Sequence, residues 1–342
     1  MARAPVRIAL MGLRGVNAGI FAPAVRACSS AELVTGVDPS DEARQAFTAE
    51  SKLPAYATLA DALKSHTLDA VVIGSPNPAH LPNIREAAAA RLHMLVTKPL
   101  CNTVAECREA IALAAEAGVV LQTGHEYRFR PAVRRIIDLA RAGQLGQLSM
   151  VTGHLGHAGG LDETFSGPGQ WRHNPANCPG GCANLLGVHQ IDVAIAILGV
   201  PVQVHATLRH LCAVAPINDT AVITLTHPRG VSVCTSSYAS QPADEMRVLG
   251  TVANGVVSNQ AAYLENTNAR SPVKDLPASS AANVLIEQLV AAVDTGKPVQ
   301  TTGHTGLLNV AVVEAAITSS RLGRSVAMHD ILTNYELRSA AV

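Results

Sequence analysis

Arg7-Ile8-Ala9-Leu10-Met11 runs straight into Gly12-Leu13-Arg14-Gly15-Val16-Asn17-Ala18-Gly19, and this junction decides the fold. A short apolar strand that ends on a glycine-rich turn and opens a helix is the start of a dinucleotide-binding βαβ unit. Glycine permits the tight turn, and the helix N-terminus points unbonded N–H groups at a pyrophosphate. Asp38 follows at the end of the next apolar run, Glu32 to Val37, where an acid accepts hydrogen bonds from the adenosine ribose hydroxyls. A carboxylate there repels a ribose phosphate, so the expected cofactor is NAD rather than NADP. Gly12, Leu13, Arg14, Gly15, Val16, Asn17 and Asp38 are the resulting cofactor candidates. Arg14 takes the slot in which a glycine commonly admits the phosphates, so its side chain must turn outward or pair with the pyrophosphate.

Outward from this junction, apolar runs alternate with helical stretches as far as Gln122, the pattern of a doubly wound parallel sheet. The spacing predicts a helix from Ser40 to Ser51, a strand from Asp69 to Gly74, a helix from Pro78 to Arg91 and a strand from His93 to Thr97. Thr103 and Glu106 form a capping-box start for the next helix, and Val119 to Thr123 closes the sheet. Ligands bind beyond the carboxyl ends of parallel strands, which adds Ser75, Pro76, Asn77, Thr97 and Lys98 to the crevice. Pro99 fixes the chain direction beside Lys98.

After Gly124 the alternation stops. Leu145 to His154, Val202 to Leu211, Thr220 to Thr226 and Val231 to Ser236 read as strands, with His227-Pro228-Arg229-Gly230 as a hairpin turn. Ala183 to Leu198 reads as a single helix, followed later by Ala281 to Asp294 and Gly306 to Leu322. The expected organisation is an α/β Rossmann domain over residues 1–123 and an α+β domain with an open, mostly antiparallel sheet over 124–342.

Composition narrows the partners. The 342 residues are 48% hydrophobic and 15% charged, enough to build cores. Lys plus Arg and Asp plus Glu balance at 26 each, so no global field recruits nucleic acid or an anionic membrane surface. No apolar run is long enough to span a bilayer, and residues 1–7 lack a signal-peptide core, so a cytoplasmic location is expected. Seven cysteines without a CxxC pair read as reduced, mostly buried thiols.

These motifs, in this order, resemble the Gfo/Idh/MocA oxidoreductases. The likeness is carried by the glycine loop, Asp38, Ser75-Pro76-Asn77 with His80, Lys98-Pro99, Tyr127-Arg128-Phe129-Arg130-Pro131, Trp171-Arg172 and Gly180-Gly181 leading to Gly187-Val188-His189. The resemblance implies an NAD-dependent enzyme oxidising a secondary alcohol of a sugar, cyclitol or related polyhydroxy compound, with Lys98 and His189 flanking the reacting carbon. It also brings His80, Trp171 and Arg172 to the cofactor. A neutral imidazole suits the base that takes the hydroxyl proton, and a lysine cation polarises the oxygen.

Many members carry an Asp four residues before the histidine, where this chain has Leu185. Asp192, one turn after His189, is the candidate to orient the imidazole; Asn184, adjacent to Leu185, is expected to point about a quarter-turn away from the Leu185 position. His125, Tyr127, Arg128, His154, His157 and His173 complete the expected substrate pocket. No metal is expected, since His154 and His157 lack a third ligand at a diagnostic spacing. A redox-neutral glycoside-cleaving enzyme and a non-catalytic NAD- or sugar-sensing protein are the competing readings. An uncovered apolar face, with strands such as Val202 to Leu208, predicts burial by a second subunit in a dimer or tetramer.

Overall fold

A computed structural model describes residues 4–14 and 16–339. Gly15, expected at the cofactor, lies outside them. The chain runs β1 (Val6–Met11), α1 (Val16–Ala27), β2 (Ala31–Val37), α2 (Asp41–Ser51), β3 (Ala55–Tyr56), α3 (Leu59–Ser65), β4 (Ala70–Ile73), α4 (His80–Ala89), β5 (His93–Thr97), α5 (Val104–Ala117) and β6 (Leu121–Gly124). It continues with α6 (Pro131–Arg141), β7 (Leu148–Gly156), α7 (Glu163–Ser166), α8 (Val188–Leu198), β8 (Gln203–Arg209), β9 (Thr220–His227), β10 (Gly230–Ser237) and β11 (Ala243–Gly250). β12 (Asn254–Ser258), β13 (Ala261–Glu265), β14 (Arg270–Pro272), α9 (Ala281–Thr295), α10 (Gly303–Leu322), β15 (Val326–Ala327) and α11 (Met328–Ser339) complete it.

The chain gathers into two compact units. The first takes in the chain up to Cys101, Ala105–Glu126 and Ser280–Leu307. Its six strands form a sheet in the order β3-β2-β1-β4-β5-β6, with every neighbouring pair parallel. Both faces of such a sheet are covered, so its central strands are apolar without alternation. All four residues of β4 are buried, and so are Ile8 to Met11 of β1.

Residues 280–307 are the departure from a single cut after residue 123. α9 packs on α1 and β5, burying Leu285, Ile286 and Leu289. An apolar stripe specifies that a helix must be covered, not which part of the chain covers it. The helix is capped at both ends: Ser280 Oγ accepts from Asn283 N, and Gly296 takes the left-handed conformation with φ 71.

The second unit comprises Asn102–Val104, Tyr127–Ser279 and the chain from Leu308 onward. Its nine strands follow the order β14-β13-β12-β11-β7-β10-β9-β8-β15. β7 and β10 run parallel, and the other neighbours are antiparallel. The expected hairpin forms, with Gly230 opposite His227 across Pro228-Arg229. Strands β11 to β14 go beyond the expected set. Ala243-Asp244-Glu245-Met246-Arg247 hides its strand signal, because a central strand with charged residues on its outer face lacks an apolar run.

β8 corrects the expectation of an exposed apolar face. Val204, Ala206 and Leu208 turn inward and are buried, whereas Gln203, His205, Thr207 and Arg209 face out. Period-two alternation sorts the side chains, so an apolar-looking strand presents a polar outer face. β15 covers only Val204 and Gln203 of β8. Farther along that edge, Ala206 N and Leu208 N donate to Ser319 Oγ and Ser320 Oγ of α10, at 3.0 and 2.9 Å.

Asp219 organises the loop between β8 and β9. Its Oδ2 accepts from Leu211 N, Cys212 N and Ala213 N at 2.9, 2.7 and 2.7 Å, and Thr220 Oγ1 donates to Oδ1 at 2.9 Å. Burial alone would raise its pKa, but the three amides and the hydroxyl together hold it below the usual carboxylate range. A group with a depressed folded pKa contributes stability above its unfolded value and loses it as pH falls through the folded one. Asp219→Asn is therefore expected to lower stability at neutral pH by about 1.5–3 kcal/mol. It should also flatten the acid limb of the stability curve below about pH 4. Urea unfolding at a series of pH values measures both.

Candidate active site

In the first unit the cofactor residues converge on the carboxyl ends of β1, β2, β4 and β5. Gly12 has φ +87, and a Cβ there would lie 2.4 Å from Ser75 N, so only glycine lets the turn after β1 pass the turn after β4. Asp38 ties the glycine turn to the start of α2: Oδ2 accepts from Leu13 N at 2.8 Å and Oδ1 from Ser40 N at 2.9 Å. Asn17 Nδ2 donates to Gly74 O at 3.2 Å. A glycine cradle, the N-terminus of α1 and an acid at the end of β2 fit a dinucleotide. Arg14 turns outward, as the substitution of a bulky residue for glycine requires, and its guanidinium donates to Ser40 Oγ. Arg44 Nη1 donates to the Asp38 carbonyl oxygen at 2.7 Å, which gathers two cations around this acid.

His80 joins the two remaining loops. One ring nitrogen lies 2.9 Å from Ser75 O, the other 2.9 Å from Pro99 O and 3.2 Å from Leu100 O. Burial pushes its pKa down, against the raising effect of those carbonyls. Its role is to fix the backbone on either side of the crevice. Lys98 is half-buried at the end of β5, next to a cis peptide bond to Pro99. Thr97, Asn77 and His125 are buried in the same unit.

His189 lies in the second unit, in the first turn of α8, and is 5% exposed. Its ring lies 5.5 Å from the Tyr127 ring, tilted by 43°. The Tyr127 hydroxyl donates to Asp244 Oδ1 at 2.5 Å and accepts from Gln190 Nε2 at 3.2 Å. Burial and the Asp244 charge raise the phenol pKa, so Tyr127 keeps its proton and serves as a wall for the imidazole. Gln190 reaches this position past Gly153, where a Cβ would sit 1.9 Å from Gln190 Oε1.

The structure gives several of the expected site residues definite partners. Asp192 is engaged by Arg128, whose Nε donates to Oδ2 at 2.5 Å and whose Nη2 donates to Oδ1. Asn309 Nδ2 adds a bond to Oδ1 at 3.0 Å. Arg128 thus has a buried anion to neutralise, and Asp192 is paired with it. His154 projects to the side of the sheet opposite Gln190, with Nδ1 2.8 Å from Thr235 Oγ1. His157 Nδ1 accepts from Gly159 N at 2.9 Å, and its ring packs against Tyr238 and Phe165. His173 Nδ1 lies 3.0 Å from Ser166 O. The Arg172 guanidinium stacks over the Phe165 and Trp171 rings at 4.2 and 4.4 Å. His157, Arg172, Trp171, Phe165 and Tyr238 thus make one aromatic cluster that shapes the loops after β7.

Two polar side chains owe their importance to burial, which the sequence does not reveal. Gln122 in the first unit and Asn184 in the second are 0% and 1% exposed, and among the described residues neither amide has a hydrogen-bond partner. An unsatisfied buried group costs about 1–3 kcal/mol.

Breaking the buried pair from one side should be far worse than replacing it. Asp192→Ala strands the Arg128 charge and is expected to destabilise the fold by about 3–5 kcal/mol, while Arg128→Met combined with Asp192→Leu should recover most of that loss. Chemical denaturation of the two single variants and the double variant measures the difference.

Comparisons with known proteins agree with this geometry. Residues 6–125 match the model of an oxidoreductase family with an NAD-binding Rossmann fold, and residues 133–254 match the GFO/IDH/MocA C-terminal domain. The chain is 30% identical to a D-apiose dehydrogenase of Paraburkholderia graminis, over 90% of this chain and 85% of that one. It is 29% identical to a D-xylose 1-dehydrogenase [NADP(+)] of Haloarcula marismortui, over 72% and 70%. It superimposes on an aldose-aldose oxidoreductase of Caulobacter crescentus, crystallised with glycerol, at a TM-score of 0.87 and 25% identity, covering 94% of this chain and 99% of that one. With a glycine turn, an acid after β2, a lysine after β5 and a histidine opening α8, the chain belongs to the Gfo/Idh/MocA oxidoreductase family.

Proposed function

We propose that this chain is an NAD-dependent dehydrogenase that moves hydride between a secondary alcohol of a sugar, cyclitol or related polyhydroxy compound and the nicotinamide. The family acts with nicotinamide cofactors on sugars. The observation that carries the finer reading is Asp38, held by the amides of Leu13 and Ser40 at the end of β2. A carboxylate so placed accepts from ribose hydroxyls and repels a 2′-phosphate, which supports NAD over NADP. Arg14 and Arg44 moderate that repulsion, so the preference is one of degree.

When bound, the oxidised nicotinamide supplies the hydride acceptor. In this reading the neutral imidazole of His189 takes the hydroxyl proton as the C–H bond breaks. Lys98 stabilises the negative charge developing on the oxygen. Tyr127, committed to Asp244 and Gln190, holds the imidazole in place and exchanges no proton. Gly12, Leu13, Asn17, Ser75, Pro76 and Asn77 line the cofactor side.

The outer face of the second unit's sheet supports a homo-oligomer. Apolar side chains exposed at and beside β8 and β9 support it: Val202, Leu211 and Val222 are 54%, 65% and 45% exposed, among polar neighbours such as Gln203, His205 and Thr224. In this reading a second copy covers that mixed face. Sedimentation should find a dimer or tetramer at micromolar concentration, and a stable monomer would remove this part of the proposal.

Nicotinamide absorbance with a panel of aldoses, inositols and sugar acids tests the chemistry. Turnover is expected with at least one compound, with kcat/KM at least tenfold higher for NAD than for NADP. Lys98→Ala and His189→Ala should each lower kcat by about a hundredfold or more while the protein still binds NAD. Cofactor retained in the purified protein with no net absorbance change would favour the redox-neutral reading instead.

A further inference from the structure

The turn that delivers His189 is not α-helical. Ala183–Gly187 is a π-helix, joined directly to α8 at Val188. Single π turns within helices concentrate at functional sites, because the wider turn displaces side chains from their α-helical positions. In an α-helix a residue five places before His189 lies about 140° around the axis from it. The wider turn rotates that residue back toward the histidine side, and the residue is Asn184.

Asn184 is also the only carboxamide in Cys182-Ala183-Asn184-Leu185-Leu186. Its backbone N–H is bonded to Gly181 O at 3.1 Å, so the backbone is provided for. The side chain is 1% exposed, and among the described residues neither Oδ1 nor Nδ2 has a hydrogen-bond partner. Native proteins keep few such groups, and a missing ligand is one reason to keep one. Asn184 therefore combines three features: burial, an unmet donor and acceptor, and a place on the turn that leads into His189.

We propose that Asn184 hydrogen-bonds the substrate, its Oδ1 accepting from one hydroxyl and its Nδ2 donating to the oxygen of a neighbouring one. A carboxamide offers a donor and an acceptor side by side, which matches a vicinal diol and not an isolated alcohol. Being neutral, it does not compete with His189 for the proton that leaves. Asn184 thus selects polyhydroxy compounds with a hydroxyl beside the carbon that is oxidised. A site built on such bonds rejects analogues that lack the group, because its own polar atoms are then left unpaired. The inference rests on the dehydrogenase reading of the preceding section.

Asn184→Leu, close in volume, tests it with whichever aldose, inositol or sugar acid of the preceding section's panel the unaltered enzyme turns over fastest. The expected result is a sugar KM at least tenfold higher, an NAD KM within twofold and a ligand-free Tm equal to or above that of the unaltered protein. The Tm separates a ligand contact from a structural one, since removing an unmet amide costs the empty protein nothing. An unchanged sugar KM overturns the inference, as does a ligand-free Tm that drops by several degrees. Should Asn184→Leu fail to fold, Asn184→Ala carries the same KM test. If the unaltered enzyme turns over no compound of that panel, the substrate class of the preceding section fails and the inference with it. Turnover that Asn184→Leu leaves untouched overturns the role of Asn184 alone.

Discussion

A guanidinium, a carboxylate and an amide, buried together, set the position of α8. Arg128 comes from the turn before α6, Asp192 from α8 and Asn309 from α10, and the three meet through fork-shaped hydrogen bonds. Taking two charges out of water is expensive, and the pairing repays that cost only when the geometry is met. The benefit lies in uniqueness. An apolar contact between α6 and α8 would tolerate a slip along or around the helix, whereas a two-pronged ion pair tolerates little. His189 is three residues from Asp192 on the same helix, so the pair that fixes Asp192 also fixes the backbone from which the imidazole projects.

The cofactor end uses a different strategy, in which backbone groups do most of the work. Asp38 is held by two amides, His80 touches three carbonyl oxygens, and Gly12 allows two turns to touch. Charges there are few and sit at the rim, where Arg14 and Arg44 flank the acid. A site that binds a large, doubly charged dinucleotide needs N–H groups of fixed direction more than it needs salt bridges.

The legible parts of the sequence are those whose physics is local. Strand β1, the glycine turn and Asp38 lie within a short stretch, and each residue type there has a steric or electrostatic reason to be present. The hairpin at Pro228-Arg229 is equally local. The partner of Asp192 could not be read in this way, because Arg128 is 64 residues away and nothing near Asp192 announces it. The home of α9 was hidden for the same reason, since its apolar stripe fits any apolar surface. Ala183 to Leu198 reads as one helix because a π turn has no compositional mark, and the unmet amide of Asn184 becomes visible only when its surroundings are known. His154, two residues before the end of β7, illustrates period two: a shift of one position would have turned it to the other face.

The edges of the nine-stranded sheet carry one more consequence. At one end, β15 is two residues long, and serines of α10 take the amides of β8 that it leaves uncovered. At the other, β14 is three exposed residues that begin with Arg270 and end with Pro272. A growing cross-β stack needs a run of free, flat, donor-rich strand to template on, and neither edge offers one. The molecule can therefore carry a broad β-sheet at high concentration with little risk of strand-by-strand polymerisation.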